Sequence, residues 1–192
     1  MTNRRELLKV GLAAAAMPIA AHATLVETHG VPLYKVLYDT RFPASVNFAR
    51  RAEVGGLAVR AMAGDMTPFW YDDLYHRWKQ GPAAIAGLTA YGALFCLERL
   101  AWDHRMRVVY RGEHAAAHGG CVAHRFEAPA ALLPAAADAA AGSGWAAALA
   151  DVVAACPAPP VERGTSTALT TDGGARLSET LFSWVIAPIA RA

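Results

Sequence analysis

The stretch Val31–Tyr38 has the sequence Val-Pro-Leu-Tyr-Lys-Val-Leu-Tyr and is followed by Asp39. Apolar, β-favouring residues over this length predict a buried strand. A helix is predicted to begin at Pro43 and to end at two glycines, and a second strand is predicted over residues 57–63. A strand, a helix and a strand joined by short connections form the repeating unit of a parallel sheet, so this stretch decides the fold class.

The same alternation continues toward the middle of the chain. Thr67 and Pro68 are typical of a helix start, and this helix is followed by an apolar strand over residues 83–88. Thr89 is predicted to cap a third helix, and residues 106–110 form a fourth predicted strand. We therefore expect a three-layer α/β domain with a mostly parallel β-α-β-α-β-α-β sheet.

The last third of the chain departs from this alternation. A turn at residues 119–120 precedes a strand over residues 121–126 that is expected to pair back on the fourth strand. Residues 129–155 are rich in alanine and predict one or two short helices. Two further runs, 165–171 and 177–186, flank an Asp-Gly-Gly turn, so we expect an antiparallel C-terminal hairpin to extend the sheet.

The N-terminus carries a separate pattern. The chain has the sequence Asn-Arg-Arg-Glu-Leu-Leu-Lys over residues 3–9, a weakly apolar run over residues 10–20, and Ala-His-Ala over residues 21–23. A positive segment, an apolar run and an A-x-A site are the parts of an export signal. This segment resembles a twin-arginine (Tat) signal peptide, with Arg4 and Arg5 as the arginine pair and cleavage after Ala23. A general secretion signal is the alternative.

The resemblance covers residues 1–23 and implies export to the periplasm by the Tat machinery, which carries folded proteins. Members of this family fold first because they take up a cofactor in the cytoplasm, because they fold fast, or because they travel with a partner protein. Residues 24–192 have the length of one domain with its own core, and we expect a single α/β domain there.

The charge balance argues against partners that carry many negative charges. The chain has 18 basic and 16 acidic residues, and the signal carries three of the basic and one of the acidic ones, which leaves 15 of each. A neutral domain lacks the positive surface that binds nucleic acids and anionic membranes. The apolar run of the signal is too short and too rich in alanine to form a stable membrane span.

Cysteine is sparse in a chain that is expected to reach an oxidising compartment. Cys96 lies within a helical apolar pattern, so we expect it to be a small buried side chain. Cys121 and Cys156 could form a disulfide, and the sequence alone leaves that pairing open.

Polar side chains are predicted at the ends of the strands, where open parallel sheets bind their ligands. Two carboxylates side by side at this rim, Asp39 and Asp65, would raise one pKa or bind a cation. We predict these two as acid–base or cation-binding residues and Arg41 as the residue that holds an anionic substrate. The expected ligand-binding set comprises Asp39, Arg41, Asp65, Thr67, Trp70, Tyr71 and Thr89.

A structural interpretation of the same residues competes with this one. Aspartate and threonine at strand–helix junctions are common helix caps, and aromatic residues at helical spacing are common packing residues. The sequence contains no Gly-rich dinucleotide loop, no Walker loop and no G-x-S-x-G element. Nicotinamide, nucleotide and α/β-hydrolase chemistry are therefore disfavoured, and no cofactor is identified.

A second candidate site lies in the predicted hairpin. Four soft ligands fall within eleven residues, namely His114, His118, Cys121 and His124. Such a set could bind zinc or copper or supply a haem ligand, although its spacing matches no standard metal motif. A hairpin with its tip at residues 119–120 would place these side chains on an exposed loop, so a surface hairpin without metal is the alternative.

Three functions follow from these observations. The first is a non-catalytic periplasmic protein, either an accessory or small subunit exported with a redox partner or a protein that binds a small ligand. The second is an enzyme that uses the acidic strand-end rim. The third is a metal- or haem-binding protein that uses the histidine and cysteine cluster.

Overall fold

The computed structural model describes residues 31–159, 161–170 and 177–189 of the chain. The predicted export signal and the turn expected at residues 172–174 lie outside these ranges, so both stay predictions. Within the described part, no helix combines the length and the apolar character that a membrane crossing requires.

The described residues form a mixed α/β structure. Its strands are β1 (Leu33–Asp39), β2 (Val59–Met62), β3 (Ala84–Ala90), β4 (Met106–Ala116), β5 (Val122–Pro129), β6 (Arg163–Thr170) and β7 (Leu181–Pro188). Its helices are α1 (Pro43–Val54), α2 (Thr67–Phe69), α3 (Tyr75–Lys79), α4 (Tyr91–Asp103), α5 (Leu133–Ala141) and α6 (Trp145–Ala154). A π-helical turn (Trp70–Leu74) joins α2 to α3.

All seven strands belong to one sheet with the order β2-β1-β3-β7-β4-β5-β6. Strand β1 is parallel to both of its neighbours, β2 and β3. The other four pairs, β3–β7, β7–β4, β4–β5 and β5–β6, are antiparallel. The predicted strands therefore exist, but the expected mostly parallel sheet is wrong, because most of the pairs in this sheet are antiparallel.

Strand β7 accounts for that difference. It lies between β3 and β4 and is antiparallel to both, so β3 and β4 run in the same direction without touching. Its residues, Leu-Phe-Ser-Trp-Val-Ile-Ala-Pro, are apolar on both faces, which suits a central strand that is covered on both sides. The expected C-terminal hairpin is also wrong, since β6 pairs with β5 at the edge of the sheet and not with β7.

The core consists of two apolar clusters, and successive residues of β7 enter them in turn. Val185 and Ala187 belong to the cluster that includes α1, α5 and α6, whereas Trp184 and Ile186 belong to the cluster that includes α4 and the segment from α2 to α3. Because side chains of a strand alternate between its faces, the two clusters lie on opposite faces of the sheet.

Candidate functional site

Two of the predicted site residues after β1, Asp39 and Arg41, bind each other. Asp39 is only 1% exposed, and its carboxylate accepts three side-chain hydrogen bonds from Arg41. They measure 3.0 Å from Nε to Oδ1, 3.2 Å from Nε to Oδ2 and 2.6 Å from Nη2 to Oδ2. The backbone N–H of Arg41 donates to the same carboxylate at 3.1 Å. These hydrogen bonds raise the pKa of the Arg41 guanidinium. The pair stabilises the turn after β1, and its two charges offset each other.

Asp65 has a different local partner. Its Oδ1 accepts a hydrogen bond of 2.8 Å from the backbone N–H of Thr67, at the start of α2. Hydrogen bonding by Thr67, through its side chain and its backbone, lowers the pKa of Asp65. Asp65 therefore forms a turn just before α2, and the helix itself begins without a side-chain cap. The raised carboxylate pKa that we expected at this rim is not found for Asp65.

Thr89 lies inside the molecule and not at a helix start. It is the penultimate residue of β3, is fully buried, accepts a hydrogen bond of 3.1 Å from Trp184 Nε1, and donates to the Ala90 carbonyl. Helix α4 begins after Ala90 without a side-chain cap. The prediction that Thr89 caps this helix is therefore wrong.

The predicted aromatic residues line a shallow groove between the segment from α2 to α3 and helix α4. Trp70 packs edge-on against Tyr75 and Trp78 with ring centroids 5.6 and 5.8 Å apart, whereas Tyr71 is 64% exposed. The groove encloses about 420 Å³ and is lined by Met66, Thr67, Trp70, Tyr71, Phe95, Cys96, Arg99 and Leu100. This surface therefore brings Thr67, Trp70 and Tyr71 together.

Helix α4 extends the groove into an exposed aromatic face. Tyr91, Phe95 and Trp102 are 50%, 47% and 43% exposed, and they lie on the outer side of the helix. Arg99 covers the Trp102 ring at 4.1 Å. Cys96 of α4 is also exposed, so the expectation that this cysteine is buried is wrong. A face with three large exposed aromatic residues is typical of a surface that binds another molecule.

The histidine and cysteine cluster does not converge on one point. His114 on β4 and His124 on β5 are cross-strand partners and are buried, whereas His118 is exposed in the turn and Cys121 is a half-buried free thiol. Among the residues that the structure describes, no group of three or more histidine, cysteine or acidic side chains could hold a metal. The expectation of an exposed loop is wrong for His114 and His124.

These two histidines form a chain of hydrogen bonds through the interior. The Thr170 hydroxyl donates to the Ala140 carbonyl at 2.6 Å, so it accepts from His124 Nε2, which lies 2.6 Å away. In a neutral ring, Nδ1 of His124 is then the acceptor, and it lies 2.8 Å from Nδ1 of His114. Nε2 of His114 consequently accepts from the Ser183 hydroxyl at 2.9 Å. We infer these tautomers from the hydrogen-bond partners.

The surroundings of His114 and His124 keep both rings uncharged and shield them from solvent. Trp145 covers both rings, with centroid distances of 4.7 Å to His114 and 5.0 Å to His124. Burial, together with the neighbouring His124, holds the pKa of His114 well below its usual range, and burial lowers the pKa of His124 to about 4. Ser183 is fully buried, so no substrate reaches its hydroxyl. The serine–histidine–histidine arrangement is therefore a structural network.

A glycine makes room for this network. A Cβ atom built on Gly112 of β4 would lie 2.5 Å from Ser183 Oγ and 3.0 Å from His114 Cε1.

The pairing of His114 with His124 was not predicted from the sequence, although the spacing of the two residues about the turn indicates it. A hairpin centred on residue 119 places position 114 opposite position 124, and a period of two then turns both side chains to one face.

A larger cavity lies on the outer side of Trp145, between α1 and α6. It has a volume of about 570 Å³, and the residues that line it are Phe42, Pro43, Ala44, Asn47, Arg50, Arg51, Val54, Ser143, Gly144, Trp145, Ala146, Ala147, Leu177 and Ser178. Trp145 thus has two roles, as a wall of the cavity and as the cover of the histidine pair. None of the residues predicted to bind a ligand lines this cavity.

No family model matches the chain, and comparisons with curated proteins and with solved structures find no match.

Proposed function

We propose that the chain is a Tat-exported periplasmic protein that binds a small organic molecule in the cavity between α1 and α6. The cavity itself carries this proposal. Its volume of about 570 Å³ falls within the range of roughly 300–1,000 Å³ that is usual for small-molecule sites. Its walls combine the apolar surfaces of Phe42, Val54 and Trp145 with a few polar groups, which is the composition of such sites.

The enzyme alternative has less support. Asp39 and Arg41 satisfy each other, and Asp65 is occupied by Thr67 at the start of α2. The buried Ser183 and His114 have the spacing of a nucleophile and its base, but Trp145 and the sheet separate them from solvent. A binding protein uses the cavity without requiring either group.

A neutral fluorescent probe tests the proposal. N-phenyl-naphthylamine, an uncharged aromatic amine that brightens in apolar sites, should bind the mature protein with one saturable site. Asn47→Trp places a large ring in the cavity from α1 and should abolish that binding. Glu53→Trp is the matched control, because Glu53 is exposed on the same helix and does not line the cavity. Binding that is equal in the wild-type protein and in both variants would show that the dye does not occupy the cavity.

The accessory-subunit function is a second candidate, and the exposed aromatic face of α4 favours it. Size-exclusion chromatography of the native periplasmic fraction should then show the protein in a complex larger than a monomer. Phe95→Ser should shift it to the monomer position. Leu169→Ser is the control, since Leu169 is an exposed apolar residue on β6, away from α4. A strictly monomeric wild-type protein would count against this function.

A further inference from the structure

The cavity between α1 and α6 has a charge of one sign. Its charged lining residues are Arg50 and Arg51, and no aspartate or glutamate of the described residues lines it. A concave site with apolar walls and charges of one sign concentrates ligands of the opposite sign. The cavity therefore discriminates between small molecules by their charge as well as by their shape.

The two arginines of the cavity differ in what they are free to bind. Arg51 Nε lies 2.8 Å from Asp151 Oδ1, and this ion pair links α1 to α6. Within the described part of the chain, Arg50 has no carboxylate within ion-pair distance. Among the described residues, the Arg51 guanidinium is thus paired with a carboxylate and the Arg50 guanidinium is not.

The remaining walls suit an apolar body. Phe42 and Trp145, both almost completely buried, are among its lining residues, and Pro43, Val54 and Leu177 add aliphatic side chains. Asn47 and Ser143 supply polar side chains. A single available guanidinium favours one negative charge over a polyphosphate, in agreement with the absence of any phosphate-binding loop in the sequence.

We propose that the ligand is an amphipathic monoanion, an aromatic or aliphatic body with a single carboxylate or sulfonate that Arg50 binds. This inference rests on the proposed function, since it names the class of molecule that the same cavity takes. The apolar body lies against Trp145 and Phe42, and the acidic group lies toward Arg50 on the outer side of α1. Binding is then partly electrostatic and weakens as salt is added.

Two dyes with nearly the same skeleton test this inference. Anilinonaphthalene sulfonate is an amphipathic monoanion, and N-phenyl-naphthylamine is its uncharged analogue. We expect the wild-type protein to bind the sulfonate more tightly than the neutral amine. Arg50→Gln should weaken binding of the sulfonate by about tenfold, the loss expected for one charge-assisted contact, and should affect binding of the neutral amine much less.

Arg107→Gln is the charge-matched control, because Arg107 is exposed beside Trp102 and does not line the cavity. It should bind both dyes as the wild-type protein does. Asn47→Trp identifies the site of binding, since a dye held in the groove beside α4 would be unaffected. Circular dichroism and the melting temperature of each variant show that its fold is intact.

The outcomes separate the two proposals. Equal affinity of both dyes, with no effect of Arg50→Gln, would overturn the monoanion inference and leave the binding function standing. An equal loss in Arg50→Gln and Arg107→Gln would also overturn it, because net charge would then be the cause. Binding of neither dye, or binding of both that persists in Asn47→Trp, would overturn the binding function together with the inference.

Discussion

His114 and His124 use all four of their ring nitrogens inside the protein. Each ring donates one hydrogen bond and accepts another in the chain from Ser183 to the Ala140 carbonyl. An added proton on His124 Nδ1 would leave two donors facing each other, and one on His114 Nε2 would prevent that nitrogen from accepting the Ser183 hydrogen bond. The folded state therefore resists protonation of this pair, whereas the unfolded chain does not.

Acid should destabilise the protein through His124. Its pKa is about 4 in the folded state and roughly 6.5 in an unfolded chain, so the unfolded chain binds the proton first. The loss of stability should begin as the pH falls below roughly 6.5 and should level off below about 4, at about 3 kcal/mol. Urea unfolding at several pH values between these limits measures it.

Two histidine substitutions separate the loss of stability caused by His124 from the loss caused by carboxylates, which are also protonated in acid. His124→Gln should show a smaller change in unfolding free energy with pH than the wild-type protein. His76→Gln, at an exposed histidine, should show the wild-type change. An unaltered pH dependence in His124→Gln would contradict the neutral buried pair.

Gly112→Ala should destabilise the fold. The new methyl group would lie 2.5 Å from Ser183 Oγ, inside the sheet, where neither strand can move freely. We expect a cost of about 1–3 kcal/mol, the usual range for overpacking a core. Gly142→Ala is the matched control, because a Cβ there meets no atom within 4 Å and should change stability little. Thermal or chemical unfolding of both variants gives the comparison.

Residue types at the rim could be predicted from the sequence, but their partners could not. The prediction placed Asp39, Arg41 and Asp65 correctly at the ends of strands. The two-residue spacing between Asp39 and Arg41 allows the side chains to form the observed pair, yet the same spacing suits an open site equally well. Only the burial of Asp39 decides between the two, and burial at this position depends on the packing of distant segments.

At the scale of elements, periodicity predicted almost every strand and helix. The order of the strands in the sheet could not be predicted in this way. Local pattern carries information on the extent of a strand and on its faces, whereas its direction and its neighbours in the sheet depend on contacts between distant residues, such as those of β3 with β7. The continuous apolar composition of β7 was the available signal that it belongs in the centre of the sheet.

The reactivity of the cysteines tests which side of α4 faces the core. Leu94, Leu97 and Ala101 are in the core, which turns Cys96 outward, whereas Cys156 is fully buried. A thiol-specific chromogenic reagent should therefore modify Cys96 rapidly and Cys156 only after unfolding. Burial also raises the pKa of Cys156 to about 12, which leaves little reactive thiolate.

Cys96→Ser should remove the rapid phase of this reaction. The half-buried Cys121 should react at an intermediate rate in both proteins. A rapid phase that survives in Cys96→Ser would mean that α4 is rotated from the position described above.

At the scale of the whole molecule, the export signal is a prediction, and it implies both a location and a mature form. Replacing Arg4 and Arg5 by lysine keeps the positive charge but removes the arginine pair. We expect the variant to remain in the cytoplasm as a precursor, whereas the wild-type protein should appear in the periplasm beginning at Thr24. Cell fractionation and intact-mass measurement test this prediction. Continued export of the lysine variant would identify a general secretion signal instead.

The position of β7 has a consequence for the time at which this protein can fold. Residues 181–188 are made after every other strand, yet they join β3 to β4 in the middle of the sheet. A nascent chain that has not yet released these residues from the ribosome has two sheet fragments, each with an open edge. The sheet is therefore completed only after residues 181–188 have left the ribosome.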